Sequence, residues 1–279
     1  MTREHLIPAS LAALVKRDED LAHTYLNRSP KKFLESQPTV KDVCNICNNE
    51  VLGKLDNEAR NFIASYCLEE FNSKGETRTL KINYDLLLRW VMKVSFNSAR
   101  IHDAEPDREI LSSYRSYILG NGKQPKRIAF FVHGIYSHPV DDDQANLVMR
   151  EGVDNENIIH PDYIRCSLVR FQTDFDRDFV SRAIIFKSFQ FTFLLLRKKA
   201  PHSDLLALKR DFLSKVKGAL EIRRDKETYN VTSKISAFDA IFGHFMMRYE
   251  DYGEEYVDFI EKQMREQDDR NGELNGPKL

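Results

Sequence analysis

Two short stretches hold side chains able to do chemistry together. Glu4 and His5 are adjacent in "MTREHLIPAS". Farther on, "VCNICNNEVLGKLD" sets Cys44 and Cys47 in a C-x-x-C and follows them with Asn48, Asn49 and Asp56. A neutral imidazole can take a proton from water near pH 7. A carboxylate and an amide oxygen can share a hard cation such as Mg2+ and leave positions open for phosphate. Two thiolates at C-x-x-C spacing can supply half of a tetrahedral zinc site. That spacing alone reads equally as a pair of half-buried thiols. Neighbours on a regular strand face opposite sides, so Glu4 and His5 share a site only where the backbone bends. Pro8, cutting short the strand that runs through Leu6 and Ile7, makes a bend available.

The elements that would position these groups follow from periodicity. Val51, Leu52, Leu55, Ala59, Phe62, Ile63 and Tyr66 recur at helical spacing and predict an amphipathic helix from about Asn49 to Glu70. A second helix is expected from Tyr84 to about Ile101, with Leu87, Leu88, Val91, Met92, Val94 and Ser95 on a broad apolar face. A short third helix covers Ser112–Leu119, and "GNGKQP" behind it is the expected domain boundary. Beyond it, "RIAFFVHGI", "YIRCSLVRF" and "AIIFKSFQFTFLLL" are β-branched and aromatic, predicting three or four strands. Leu205 to about Leu220, Ala237–Tyr249 and Tyr256–Arg265 then read as helices, and "DDRNGELNGPKL" as a frayed end. The expected class is α+β, divided into an N-terminal motif over residues 1–75, a helical connector over 76–120 and an α+β domain of unassigned role over 121–279.

Composition narrows the function classes. The chain has 279 residues, 42% hydrophobic and 30% charged, which suits a globular protein. No apolar run approaches the roughly 20 residues of a membrane span, so no membrane partner is expected. Four cysteines and no secretory leader point to a reducing, cytoplasmic setting. The net charge of −1 speaks against a nucleic-acid partner, but its distribution is uneven. From Arg182 to Lys234 there are thirteen Lys/Arg against five Asp/Glu, and from Ile235 to Leu279 eleven Asp/Glu against five Lys/Arg. A basic segment beside an acidic tail permits phosphate contact, and the preferred reading is a pair of solvated helices with opposite faces.

Taken together, "EHLIPASL" and "VCNICNNEVLGKLD" resemble the HNH endonuclease family, in its branch written E-H-x-I-P … C-x-x-C-N-N-x-x-x-G-x-L-D. The likeness covers roughly the first 60 to 70 residues, and "LLLRWVMKVSFNSAR" is similar to the helix that follows this module. The resemblance implies a ββα-metal motif, a hairpin carrying the acid and histidine with a helix returning across it. It implies that His5 is the general base and that Glu4 and Asn48 hold a catalytic Mg2+ or Mn2+, with Asn48 where many relatives carry histidine. It further implies that Asn49 caps the helix start and that Asp56 orients a ligand or faces solvent. Members of the branch carry another C-x-x-C shortly ahead of the Glu-His, and the four cysteines bind a structural Zn2+. Met1 stands three residues ahead of Glu4, so Cys44 and Cys47 make half of that set, and a start farther upstream is expected. The family's middle asparagine has no counterpart, its region being held by Pro38 and Thr39.

The expected function is metal-dependent hydrolysis of phosphodiester bonds in nucleic acid, DNA above all. The alternative is a catalytically decayed HNH or zinc-knuckle module that binds nucleic acid without cutting it. "RIAFFVHGIYSHP" resembles the oxyanion loop of α/β-hydrolases, but the chain holds no G-x-S-x-G elbow to accompany it. The expectation there is a core strand ending in a turn at Gly134, with His133 and His138 near its mouth. His102, His160, His202 and His244 have no partners at metal spacing and read as structural.

Overall fold

The computed structural model describes residues 2–252 apart from 16–24, 28–31, 35–38, 103, 149–152, 155, 162–163, 172, 174–178 and 198. The chain begins with β1 (Thr2–His5), α1 (Ala9–Val15), a small pair β2 (Tyr25–Asn27) and β3 (Lys32–Leu34), and β4 (Thr39–Val43). β1 and β4 pair antiparallel, so chain ends separated by more than thirty residues form one ribbon. A π-helical stretch, Cys47–Leu52, runs directly into α2 (Gly53–Tyr66). The Gly53 N–H bonds the Asn48 carbonyl five residues back, and a Cβ on Gly53 would stand 3.4 Å from that oxygen. Glycine thus suits the widened turn.

β5 (Thr77–Lys81) leads to α3 (Tyr84–Ile101), which starts where the Asn83 side chain accepts from the Leu86 N–H at 3.2 Å. The broad apolar face expected of α3 is present, and burial extends to its polar residues Lys93, Ser95, Asn97 and Ser98. α4 (Asp107–Ser112) and α5 (Arg115–Ile118) replace the single short helix expected at Ser112–Leu119.

The remaining elements are β6 (Ile128–Tyr136), β7 (His138–Pro139), α6 (Asp142–Leu147), β8 (Ile158–Ile159) and β9 (Arg165–Leu168). They are followed by β10 (Phe179–Phe186), β11 (Phe189–Leu196), α7 (His202–Lys215), β12 (Leu220–Ile222), β13 (Thr228–Ser236) and α8 (Ala237–Tyr252). The mixed α and β class expected from the sequence is observed. Seven strands form one sheet in the order β5-β13-β6-β11-β10-β9, with β12 also on β6; only β13 and β6 run parallel. α7 ends five residues before the expected Leu220, because Leu220–Ile222 pairs with β6 instead. The helix expected at Tyr256–Arg265 and the frayed end lie outside the described residues.

Alternation along the central strands buries side chains on both faces of the sheet. Phe130, Val132, Phe191 and Phe193 face α2 and α3, while Ala129, Phe131, Leu194 and Leu196 face α7. The sheet is therefore covered on both sides, which is why its strands read as continuous apolar runs. The boundary expected at "GNGKQP" does not divide this core. β5 belongs to the same sheet as β6, and Tyr84, Trp90 and Phe62 pack on Phe130, Phe186 and Phe191 at ring distances of 6.1, 5.3 and 5.8 Å. Gly134 makes no turn either. It lies inside β6, where a Cβ would come within 2.9 Å of both the Phe71 ring and the Ser233 Cα. The strand continues to Tyr136, and His133 is buried within it.

Candidate functional site

The hairpin β1/β4 and the helix that begins at the C-x-x-C form a unit. In β1, Glu4 pairs with Val40 and His5 with Thr39, after a register shift between Thr2 and Glu4. Despite that irregularity the strand keeps its alternation: Glu4 is buried and His5 exposed, on opposite faces. The Asn48 amide reaches back across the ribbon, its Nδ2 donating to Thr2 Oγ1 and to the Arg3 carbonyl, each at 3.1 Å. With Nδ2 committed to the strand, Asn48 Oδ1 remains as an acceptor.

Glu4 is held by a group that sequence reasoning missed. Its carboxylate forms a salt bridge with Lys93 of α3, whose ammonium also meets Asp56 Oδ1 and Oδ2 at 2.7 and 2.8 Å. Asp56 Oδ1 accepts in addition from Trp90 Nε1 at 3.0 Å. Asp56 is part-buried, with its carboxylate turned to Lys93 and Trp90. It fixes Lys93, and Lys93 fixes Glu4. Lys93 is 2% exposed, so the three charges interact away from water. Burial pushes the carboxyls of both Glu4 and Asp56 above their ordinary values, against the pull of Lys93. The His5 ring stands near enough for its charge to act on Glu4, with burial, Lys93 and Asp56 acting more strongly. The signal available in the sequence was a lysine inside the apolar stripe of α3.

Cys44 and Cys47 do come together. The Cys47 N–H donates to Cys44 Sγ at 3.0 Å. The Cys47 thiol and N–H hold the Cys44 thiol below its ordinary value, and the same contact raises that of Cys47. Asn49 does not cap. The helix has already begun within the C-x-x-C, so Asn49 lies one turn inside it and donates to Asn45 Oδ1 at 2.7 Å.

The donor sets fit the two expected metals in part. Cys44 and Cys47 present two sulfurs to one side, half of what a tetrahedral zinc takes. Asn48 Oδ1 suits a hard cation, but Glu4 would have to exchange Lys93 for the ion. Among the described residues, no group of three or more His, Cys, Asp and Glu side chains is placed to hold a metal.

Six of the thirteen cations of the basic segment meet acids. Arg182, Lys187, Arg197, Lys209, Arg223 and Arg224 each meet a carboxylate, namely Asp107, Glu70, Glu109, Glu221, Asp225 and Asp85. It spans strands and a helix rather than one charged helical face.

Compared with known proteins, the chain matches no family model, no curated protein and no solved structure.

Proposed function

We propose that the N-terminal unit is an HNH-type nuclease site, hydrolysing phosphodiester bonds in DNA with His5 as general base. The observation that carries this reading is the strand–strand–helix order closed by Asn48. The helix that starts at the C-x-x-C returns to the strand bearing Glu4 and His5, and its asparagine side chain is anchored on that strand. Of the two candidate groups on β1, His5 is the one presented to solvent, where a water and a phosphate can approach. Its imidazole takes the proton of the attacking water. Asn48 Oδ1 and, once released from Lys93, the Glu4 carboxylate are the groups that would hold Mg2+ or Mn2+. A bound cation supplies neutralisation of charge on the phosphate and the leaving oxygen. Cys44 and Cys47 anchor the entry to the helix and are the residues toward a structural zinc.

A second reading is favoured by one specific observation, the burial of Glu4 on Lys93. A cation-binding carboxylate that faces the core is what a decayed, binding-only module would show. Cleavage of supercoiled plasmid with Mg2+ or Mn2+ separates the two. The parent chain is expected to nick, and His5→Ala to lose roughly a hundredfold or more in rate, as removal of a general base does. Equal cutting by both proteins overturns the role of His5. Absence of cutting by the parent, with DNA still bound, establishes the binding-only module.

A further inference from the structure

Beside the hairpin, a cavity of about 560 Å3 opens between β4 and the helices α3, α4 and α5. Lys41, Arg100, Arg108 and Arg115 line it together with Glu105 and Glu109. Both acids are committed: Glu105 bonds Arg108 at 2.6 Å, and Glu109 takes both arms of Arg197 at 3.2 Å. The Arg100 and Arg115 guanidiniums share a single support, lying 5.2 and 5.3 Å from the centre of the Phe96 ring. Their mutual repulsion is felt: burial first, and then the charge of Arg115, lowers the Arg100 value. Among the described residues, neither Arg115 nor Lys41 meets a carboxylate. Like charges held together on an aromatic ring, without an acid for Arg115, make a place for an anion from outside.

The position of this groove relative to His5 gives it a meaning. Thr39 is the partner of His5 across the ribbon, and Lys41 stands two residues farther along the same strand. At the strand rise that is about 7 Å away. Lys41 shares the hairpin face that carries His5, and Val40 shares the face of Glu4; both line the groove, which therefore opens along the edge of the ribbon with His5 on its outer face.

We propose that this groove binds the phosphate backbone of a nucleic acid next to the phosphodiester presented to His5, with Arg115 and Lys41 as its main contacts. The inference rests on the nuclease reading for its geometry, but backbone binding can be measured without any chemistry. The groove does not read bases: guanidinium and ammonium contacts to phosphate position a strand and carry no sequence information.

The test is fluorescence anisotropy of the full chain with a labelled 20-base-pair DNA duplex, in EDTA so that no cutting occurs, across a salt series. Arg115→Gln and Lys41→Gln are each expected to weaken binding by about tenfold at low salt and to reduce the slope of log affinity against log salt by about one. Lys74→Gln, in the loop before β5, is expected to bind as the parent does. Unchanged affinity and slope in both groove variants, with the parent binding, overturns the groove and leaves the nuclease reading intact. A parent that binds no DNA at low salt overturns it as well. Binding of poly-glutamate in place of DNA through the same two residues overturns it in favour of an acidic protein partner. Loss of DNA binding in the groove variants, with no cutting by the parent under any metal, upholds the groove and removes the nuclease.

Discussion

Glu4 and Asp56 meet at Lys93, and Glu70 and Asp154 meet at His160. The two clusters share a plan, two carboxylates around one nitrogen-bearing side chain, but differ in access to water. In the first, Lys93 is 2% exposed, with the Glu4 and Asp56 side chains at 7% and 14%. In the second, His160 Nδ1 faces Glu70 Oε2 at 2.8 Å and Nε2 faces Asp154 Oδ2 at 3.0 Å, with the Asp154 side chain 35% exposed. Lys187 joins Glu70 at 3.5 Å, and Ser137 Oγ lies 3.3 Å from both Glu70 and His160. The dry cluster has one cation and no substitute. The wet one has the Lys187 ammonium, a hydroxyl and solvent beside its imidazole, so the loss of its centre can be made good. Position, and not the charges themselves, decides which cluster the fold depends on.

The largest effect is therefore expected at Lys93. Lys93→Ala leaves two buried carboxylates facing each other and should cost about 3–5 kcal/mol in urea unfolding, the range for stripping one partner from a buried ion pair. Lys93→Ala combined with Glu4→Gln and Asp56→Asn should recover part of that loss. The single variant should also weaken further as pH rises. The raised carboxyls hold more protons in the folded than in the unfolded state, so stability is full below the ordinary carboxylate range and falls as pH climbs through the folded values. A loss below 1 kcal/mol, independent of pH, would make the two clusters equivalent and end the contrast.

Much of this architecture was legible in the sequence, and the reasons differ by element. α3 was readable because a helix buried on nearly all sides keeps a strong apolar period. The β10–β11 hairpin was readable because both sheet faces are covered. β13 was not: its inward positions include Tyr229 and Val231 but also Ser233 and Ser236, too polar for an alternation to stand out. Its partner β5 lies some 150 residues earlier, a pairing no local window contains. The chemistry followed the same rule. The β1/β4 ribbon and the bonds of Asn48 to Thr2 and Arg3 join stretches more than thirty residues apart, beyond any local window. The Lys93 link between Glu4 and Asp56 is tertiary and could not be read from either motif.

A third buried ionisable group sharpens the comparison, since it has no carboxylate at all. His133 is 2% exposed, its Nδ1 has no partner, and burial holds it at about 4, with a Gln190 hydrogen bond opposing. Between that value and the ordinary 6.5, the unfolded chain binds a proton that the folded one refuses. Stability should thus be full above pH 6.5 and decline as pH falls toward 4, by on the order of 3 kcal/mol. Urea midpoints across this range should flatten in His133→Gln. A variant as acid-sensitive as the parent would assign the transition to another group.

At the wet cluster, His160→Ala should cost about 1–2 kcal/mol, the scale of a partly solvated charged hydrogen-bond pair. Lys187 is left to face Glu70. If His160→Ala proves as costly as Lys93→Ala, solvent access is not what separates the clusters.

The smallest effect is expected where β1 is tied without any charge. Asn48→Ala removes two half-exposed hydrogen bonds, to Thr2 and to the Arg3 carbonyl, and should cost about 1 kcal/mol. Asn48→Asp keeps the shape but has no donor, and it sets a carboxylate against the Arg3 carbonyl, so it should cost at least as much as alanine. Unfolding midpoints unchanged in both variants would mean that the ladder to β4 and the Glu4–Lys93 salt bridge hold the strand without help from Asn48. The dry cluster would then be the charged anchor of the strand that carries His5, and its conversion into a metal site would have to loosen the strand on which the base sits.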